Sequence, residues 1–455
     1  MSNFQKALDY SAKWLEIIKQ DTATLDNTTA KWISEETRNN FVNHFNAGWV
    51  EYRKSMTEAG DYAAIEWRGK GSKFYDNFGN EYLDFLGGYG ALDLGWSHPE
   101  VVEAVRAQAG KSGIPTQELM DPLRGVLAKL MAEITPGNID HAFFVGSGTE
   151  AVEGALKIAR LHTGKHNFIS TVKAFHGKTA GSLSVMGKKD FRAPLQPYGG
   201  QTFYVPFGDA DALEKQLEIC DIVGIEIAGF IAEPIQGEAG AIVPPADYWS
   251  RVRESCTKYG VLMICDEVQT GLGRTGALWG VNHWNVEPDI MMTAKSLGGG
   301  VMPIGSFMGS GEIWKSFEEP NPFIHTTTTG GNPMSCAAAI ATIQVMLRDN
   351  LPQRAAELGD YFMGELNKLT EEFPGVYEKI TGKGLLIGQH FINDEVGYKV
   401  AAGLFRRKVL VAGTLINAKA IRFEPPLIVA KEEIDEVLNR LRDTLKDITK
   451  TAPAV

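Results

Sequence analysis

From about residue 90 to 330 the chain alternates short apolar runs with amphipathic segments. The runs are HAFFVG (141–146), HNFIST (166–171), GFIAEPI (229–235), VLMICDE (261–267), DIMMTAK (289–295) and GSFMGS (305–310). Runs this short, bounded by turn residues, predict buried strands, whereas TEAVEGALKIARLHTG sets Val152, Ala155, Leu156 and Ala159 on one face at helical spacing. Strand alternating with helix predicts a mostly parallel sheet covered on both faces, with ligands at the carboxyl ends of its strands. Residues 1 to about 70 read as helices with an aromatic-rich face (Trp14, Trp32, Phe41, Phe45, Trp49) that packs on the main body or on a second subunit. Gly79-Asn80 divides KFYDNFGNEYLDF into a hairpin. A long helical stretch from Asn332 to about Phe373 leads into a strand–helix–strand–helix pattern over 375–455. The expected architecture is α/β: N-terminal helices and strands (1–88) forming a dimer arm and part of a smaller domain, a large domain (89–332), and a smaller α/β domain (333–455).

Composition narrows the partners. The net charge of −11 on 455 residues argues against nucleic acid or an anionic membrane. Four cysteines without a CxxC pair indicate neither a zinc site nor a disulfide framework, and no run is apolar enough to span a bilayer. The N-terminal stretch lacks a signal-peptide core, so a reduced, cytoplasmic setting is expected. His162 and His166 have the spacing of metal ligands, but Gly164 between them ends the helix and no acidic third ligand is near, so no metal is expected.

Three strand ends carry the chemistry. VLMICDE ends in Asp266 and Glu267, acids placed where a charge is costly without a partner. In FFVGSGTEAVEG a strand turns into a helix through small residues; Ser147 and Glu150 fit a capping box, and the free N–H groups of such a start suit a phosphate. Gly146-x-Gly148-x-x-Ala151 also matches a loose dinucleotide fingerprint, but the next run offers only Ser170 and Thr171 where that reading requires an acid. Lys295 follows DIMMTA and precedes three glycines, a setting that lowers an amine's pKa and makes it a nucleophile for carbonyls. Pyridoxal 5′-phosphate satisfies all three: its phosphate goes to the helix start, its ring nitrogen to Asp266, its aldehyde to Lys295.

These motifs resemble the class III, fold-type I aminotransferases. SGTEAVEGALKIAR, AFHGKT, EPIQGEAG, DEVQTGLGRTG, TAKSLGGG and TTTTGGNP carry the likeness across nearly the whole chain. The resemblance implies Lys295 as the Schiff-base and proton-transferring lysine, Asp266 as the acid on the ring nitrogen, and Gln269 near the phenolic oxygen. It implies Ser147, Gly148 and Thr149 as the phosphate cradle, Phe175 stacked on the ring, and His176 and Glu233 at the cofactor. It places Thr328 on the phosphate of a neighbouring subunit's cofactor, hence a homodimer with shared sites, open to pairing into a tetramer. Glu238 and Arg422 take the places of a pair that opens to receive a substrate carboxylate. Gln117 and Glu118 are candidates for the substrate entrance.

FLGGYGALDLGWSHPEVVEAV and VLVAGTLINAKAIRFEPPL bring the likeness nearest to members acting on diamines such as putrescine or cadaverine. The expected reaction moves a terminal amine to 2-oxoglutarate or pyruvate, leaving 4-aminobutanal, which cyclises to 1-pyrroline. The alternative is an omega-amino acid donor, 4-aminobutyrate or ornithine. Relatives acting on those commonly carry arginine after FHG; Lys178 stands there in this chain and disfavours that donor. Glu424, beside Arg422, is an additional acid that can hold the arginine, attract a cation or face solvent.

Overall fold

The computed structural model describes residues 3–20, 25–55 and 64–451, which divide into two compact units. The first takes in the described part of residues 1–69 together with Lys73–Tyr82. Its helices are Asn3–Lys19, Asn27–Asn40 and Ala47–Ser55, the last two joined by a wide π-helical turn, Phe41–Asn46. Asp26 begins the second helix by accepting from the backbone of Thr28 and Thr29 (2.9 and 3.0 Å). Trp14 lies 5.4 Å from Trp32, and Phe41 lies 5.3 Å from Trp49, so the aromatic positions meet as their spacing predicted. Phe45 and Trp49 nevertheless stay exposed. Strands β1 (Glu66–Lys70), β2 (Lys73–Asp76) and β3 (Glu81–Asp84) follow. Gly79, at φ 82°, makes the predicted hairpin turn and donates to Asp76 O (3.0 Å).

The second unit, Lys70–Ser72 with Leu83–Val455, is built on a seven-stranded sheet. Its strands are β4 (His141–Val145), β5 (Asn167–Thr171), β6 (Thr202–Val205), β7 (Ile227–Ala232), β8 (Leu262–Asp266), β9 (Ile290–Thr293) and β10 (Gly305–Gly309), ordered β4-β10-β9-β8-β7-β5-β6. β5 to β9 run parallel, while β10 is antiparallel to both neighbours. All six apolar runs are strands. β6 is the addition: a partly buried edge strand, TFYV, too short and mixed to stand out. β7 and β9 are buried at every position, as strands covered on both faces must be.

The helical stretch after Asn332 is two helices, Pro333–Arg348 and Leu351–Glu372, broken where Asn350 adopts φ 47°. A four-stranded sheet follows from β11 (Tyr377–Lys383), β12 (Leu386–Phe391), β14 (Ala412–Gly413) and β15 (Ala420–Phe423), ordered β11-β12-β15-β14; between them β13 (Val409–Leu410) pairs with Leu83 and Asp84. Helices Asp394–Arg406 and Lys431–Thr451 pack together beside it.

Arg274, from the glycine-rich loop after β8, bolts these parts together. Fully buried, it pairs with Asp93 and donates to Leu385 O (3.0 Å) and Pro425 O (2.6 Å). Truncating one member of such a pair strands the other's charge in the interior. Asp93→Ala is expected to cost about 3–5 kcal/mol, read as an earlier urea-unfolding midpoint; an unchanged midpoint would show that the pair holds nothing together.

Candidate active site

The register of the parallel strands decides which side chains meet. Asp266, last in β8, lies opposite Met292 of β9, so Lys295 emerges beside it two residues after that strand ends. Ala232 of β7 lies opposite Cys265, which puts Glu233 on Asp266's other side. Ser170 of β5 lies opposite Ile231, and the chain then leads through Ala174 to Phe175 and His176. Because β10 is antiparallel, its entry segment, Pro303 and Ile304, reaches the same edge. The result is a cavity of about 480 Å³, the size of a small-molecule site. Among its lining residues are Ser147, Gly148, Thr149, Phe175, His176, Glu233, Asp266, Gln269 and Lys295.

Asp266 is buried. Its Oδ2 lies 2.7 Å from His176 Nδ1, whose N–H donates to it, and its Oδ1 accepts from Val268 N at 3.1 Å. A carboxylate has lone pairs beyond these two contacts, so Asp266 retains accepting capacity. His176 Nε2 is buried without a partner. Glu267 alternates to the other side of the chain, where Gly280 N and Val281 N donate to it (both 2.9 Å) together with the Thr270 hydroxyl. The two adjacent acids thus separate: one lines the cavity, the other braces the loop after β8.

Lys295 begins a 3-10 turn, Lys295–Gly298, two residues beyond the apolar strand it was expected to end. Its φ of 43° is unusual for a side chain with a Cβ, a strain held by its surroundings and of the kind that gathers at functional sites. Burial lowers the amine's pKa, with Glu424 acting against it. Ser147 caps helix Gly148–Thr163 by accepting from Glu150 N, and Glu150 accepts in turn from Gly146 N (2.6 Å), one residue earlier than a capping box requires. The helix's first N–H groups have no partner within it and face the cavity wall formed by Gly148 and Thr149. Thr149 Oγ1 is held by the hydroxyls of Thr179 (2.8 Å) and Ser182 (2.7 Å).

Glu233 joins two loops by accepting from Phe175 N and Gly237 N (both 3.0 Å); burial pushes its carboxyl up to about 7. Gln269 donates to Glu424 Oε1 (2.6 Å) and accepts from Arg422 Nη1 (3.2 Å). Arg422 Nη2 donates to Glu238 Oε1 at 2.7 Å, and all of these side chains are buried. Burial and the two acids act in opposite senses on the guanidinium, and the acids win, leaving its pKa raised. Glu424 is fully buried, which removes the solvent-facing possibility. Lys178 is exposed beyond Phe175, its amine 4.9 Å from the Phe191 ring centre. Gln117 and Thr328 are exposed, do not line the cavity, and are joined by Gln117 Nε2 donating to Thr328 O (2.6 Å).

Tyr89 was missed by sequence reasoning. Gly87, Gly88, Tyr89 and Gly90 all have positive φ, and the Arg422 guanidinium lies 5.7 Å from the Tyr89 ring centre. A Cβ on Gly87 would stand 2.1 Å from Glu424 O, so only glycine lets this loop close on the β15 end. The GGYG run was the available signal.

Fold and site together define a fold-type I pyridoxal-phosphate enzyme. The cavity fits that group: a helix start for a phosphate, an acid with spare lone pairs, and a strained lysine with a lowered pKa. The family description "Aminotransferase class-III" matches residues 57–445. A curated relative, putrescine aminotransferase of Pectobacterium atrosepticum, is 46% identical over 450 residues, covering 98% of this chain and 96% of its own. Among solved structures, ornithine aminotransferase of Toxoplasma gondii superposes with a TM-score of 0.80 at 32% identity, covering 86% of this chain and 92% of its own. A PLP-bound amine transaminase from an uncultivated Pseudomonas species gives 0.78 at 30%, covering 85% and 95%. The chain belongs to the class III aminotransferases; its cofactor is pyridoxal phosphate, and its reactants are an amine donor and an oxo-acid acceptor. Among the described residues no helix is long and apolar enough to cross a membrane.

The braced acid gives a pH signature. Burial pushes Glu267 up to about 7 from its ordinary 4.5. Between 4.5 and 7 the native state holds a proton that the unfolded chain has lost, so this group's contribution to stability declines as pH rises through that window. In Glu267→Gln the lost hydrogen bond gives a constant offset and the titration disappears. The melting temperature of wild type minus variant is therefore expected to fall as pH rises from 4.5 to 7; a flat difference would refute the assignment.

Proposed function

We propose that this aminotransferase takes the terminal amine of putrescine, or of a related diamine such as cadaverine, and delivers it to 2-oxoglutarate or pyruvate. The observation that carries the donor assignment is the Arg422–Glu238 contact of 2.7 Å, which engages the arginine behind Gln269 before a donor enters. A donor whose carboxylate seeks Arg422 would have to break that pair; a diamine does not. Two further observations support it: the 46% identity to a putrescine aminotransferase, and Lys178 lying outside the cavity on aromatic faces.

In this reading the bound cofactor supplies an aldehyde for the amine and an electron-poor ring that stabilises negative charge at the reacting carbon. Gly148 and Thr149, with Ser147, hold its phosphate at the helix start, and Phe175 packs against its ring. Asp266, oriented by His176, holds the ring nitrogen protonated. Gln269 lies toward the phenolic oxygen, and Glu233 keeps the Phe175 loop in place. Lys295, its pKa lowered by burial, removes the proton from the carbon bearing the nitrogen and returns it on the other side of the exchange. Arg422 then leaves Glu238 to take the acceptor's carboxylate. The donor leaves as 4-aminobutanal, which closes to 1-pyrroline.

The Gln117–Thr328 pair faces outward and fits a homodimer in which Thr328 reaches the phosphate in the partner's site, with Gln117 at its entrance. A large domain over 89–332 and a smaller one over 333–455 with part of 1–88 fit the separate four-stranded sheet of the C-terminal part. A second reading, an omega-amino acid donor, draws on the likeness to ornithine aminotransferase.

A titration without acceptor separates the donors. Putrescine is expected to bleach the cofactor's visible band at concentrations where 4-aminobutyrate and ornithine leave it nearly intact; the reverse order would assign the amino-acid donor. Lys295→Ala is expected to slow turnover by at least about 10²–10⁴-fold, measured as 1-pyrroline formation, while the protein still binds the cofactor at a shifted wavelength.

A further inference from the structure

Arg422 meets a second acid. Glu424 Oε2 lies 3.5 Å from Arg422 Nε with no hydrogen bond, and both atoms are buried without another partner. Its other oxygen is bound by Gln269 Nε2 (2.6 Å), and Gln269 Oε1 accepts from Arg422 Nη1 (3.2 Å). Glu238 in turn is fastened by Leu415 N, which donates to its Oε2 at 2.7 Å. The arginine is thus gripped on three sides: by Glu238 at Nη2, by Gln269 at Nη1 and by the charge of Glu424 at Nε. Two carboxyl groups thus face one guanidinium, with the Lys295 amine as a further neighbour. The cluster adjoins the reacting amine, because a Cβ on Gly90 would stand 3.6 Å from Glu424 Oε1 and 3.9 Å from Lys295 Cδ.

We infer that Glu424 is a positioning residue that sets how readily Arg422 is surrendered to an acceptor's carboxylate, and so weights the pocket toward amines over oxo acids. The inference rests on the reading of Arg422 as the carboxylate receptor. When Arg422 swings to a carboxylate it abandons Glu238, loses the Gln269 contact, and leaves Glu424 Oε2 without its guanidinium in a buried place. Glu238 alone would make release a single exchange of one carboxylate for another. Glu424 adds an acid that has nothing to exchange with. The apparent affinity for a carboxylate falls by the fraction of molecules in which the arginine is free, and that fraction is what Glu424 keeps small. Gln269 transmits the restraint, since its amide is fixed by the same acid that faces the guanidinium.

The test is glutarate, a dicarboxylate with no carbonyl to react, titrated calorimetrically into the holoenzyme. Glu424→Gln keeps the shape and an oxygen for Gln269 Nε2 but removes the charge. It is expected to bind glutarate about tenfold more tightly and to lower KM for 2-oxoglutarate, with KM for putrescine little changed. Glu424→Asp is expected to restore weak glutarate binding. Unchanged or weaker glutarate binding in Glu424→Gln would overturn the inference, as would a raised putrescine KM with glutarate unaffected, which would make Glu424 a direct amine contact. Arg422→Gln separates the two levels. If it leaves glutarate binding intact, the carboxylate-receptor reading itself fails; if it abolishes binding while Glu424→Gln changes nothing, only the role of Glu424 fails.

Discussion

A carboxylate buried at the end of a central strand is the constraint on which the site depends. Asp266 sits between two parallel neighbours, where charge is costly to desolvate, and the His176 side chain is bound to it. That contact brings the segment after β5 against the end of β8. Glu233 then fastens the same segment to the turn after β7 through Phe175 N and Gly237 N. Three strand ends are locked by two acids, and the cavity is the space they enclose with Lys295 and the helix start at Gly148.

Buried cations follow the same rule. Arg274 and Arg422 are both fully buried arginines, but they are held differently. Arg274 binds one acid and two backbone carbonyls and acts as a fixed bolt between the loop after β8, the β12 entrance and the segment after β15. Among the described residues the Arg422 side chain is held by other side chains, Glu238, Gln269 and Glu424. An arginine tied to backbone is architecture; one tied to side chains near Lys295 has alternatives. This difference makes a pocket for both a cationic amine and an anionic oxo acid physically reasonable.

Strained backbone marks where function bends the fold. Lys295 at φ 43° and Tyr89 at φ 60° are both forced conformations, and both residues flank the Arg422 and Glu424 cluster. Gly87 and Gly90 allow the Tyr89 loop to pass close to β15 with no Cβ in the way.

The alternation of strands and helices was legible in chain order, because apolar runs of six or seven residues bounded by turn signals have few other ways to be buried. The sequence also singled out Asp266, Lys295 and the Ser147–Thr149 helix start, since unusual residues at strand ends follow from chain order alone. It did not announce β6, a partly buried edge strand with no continuous apolar signal, nor the strain at Lys295, which lies in backbone angles. The tertiary structure supplied the reason that Asp266 and not Glu267 faces the cavity: one residue's shift along a strand reverses its side, and the hydrogen bonds of Gly280 and Val281 claim Glu267. Only the tertiary structure placed Glu424 in the interior beside Arg422: the residues lie two apart on one chain, but their shared burial depends on Gln269 and Gly90, which come from distant parts of the sequence.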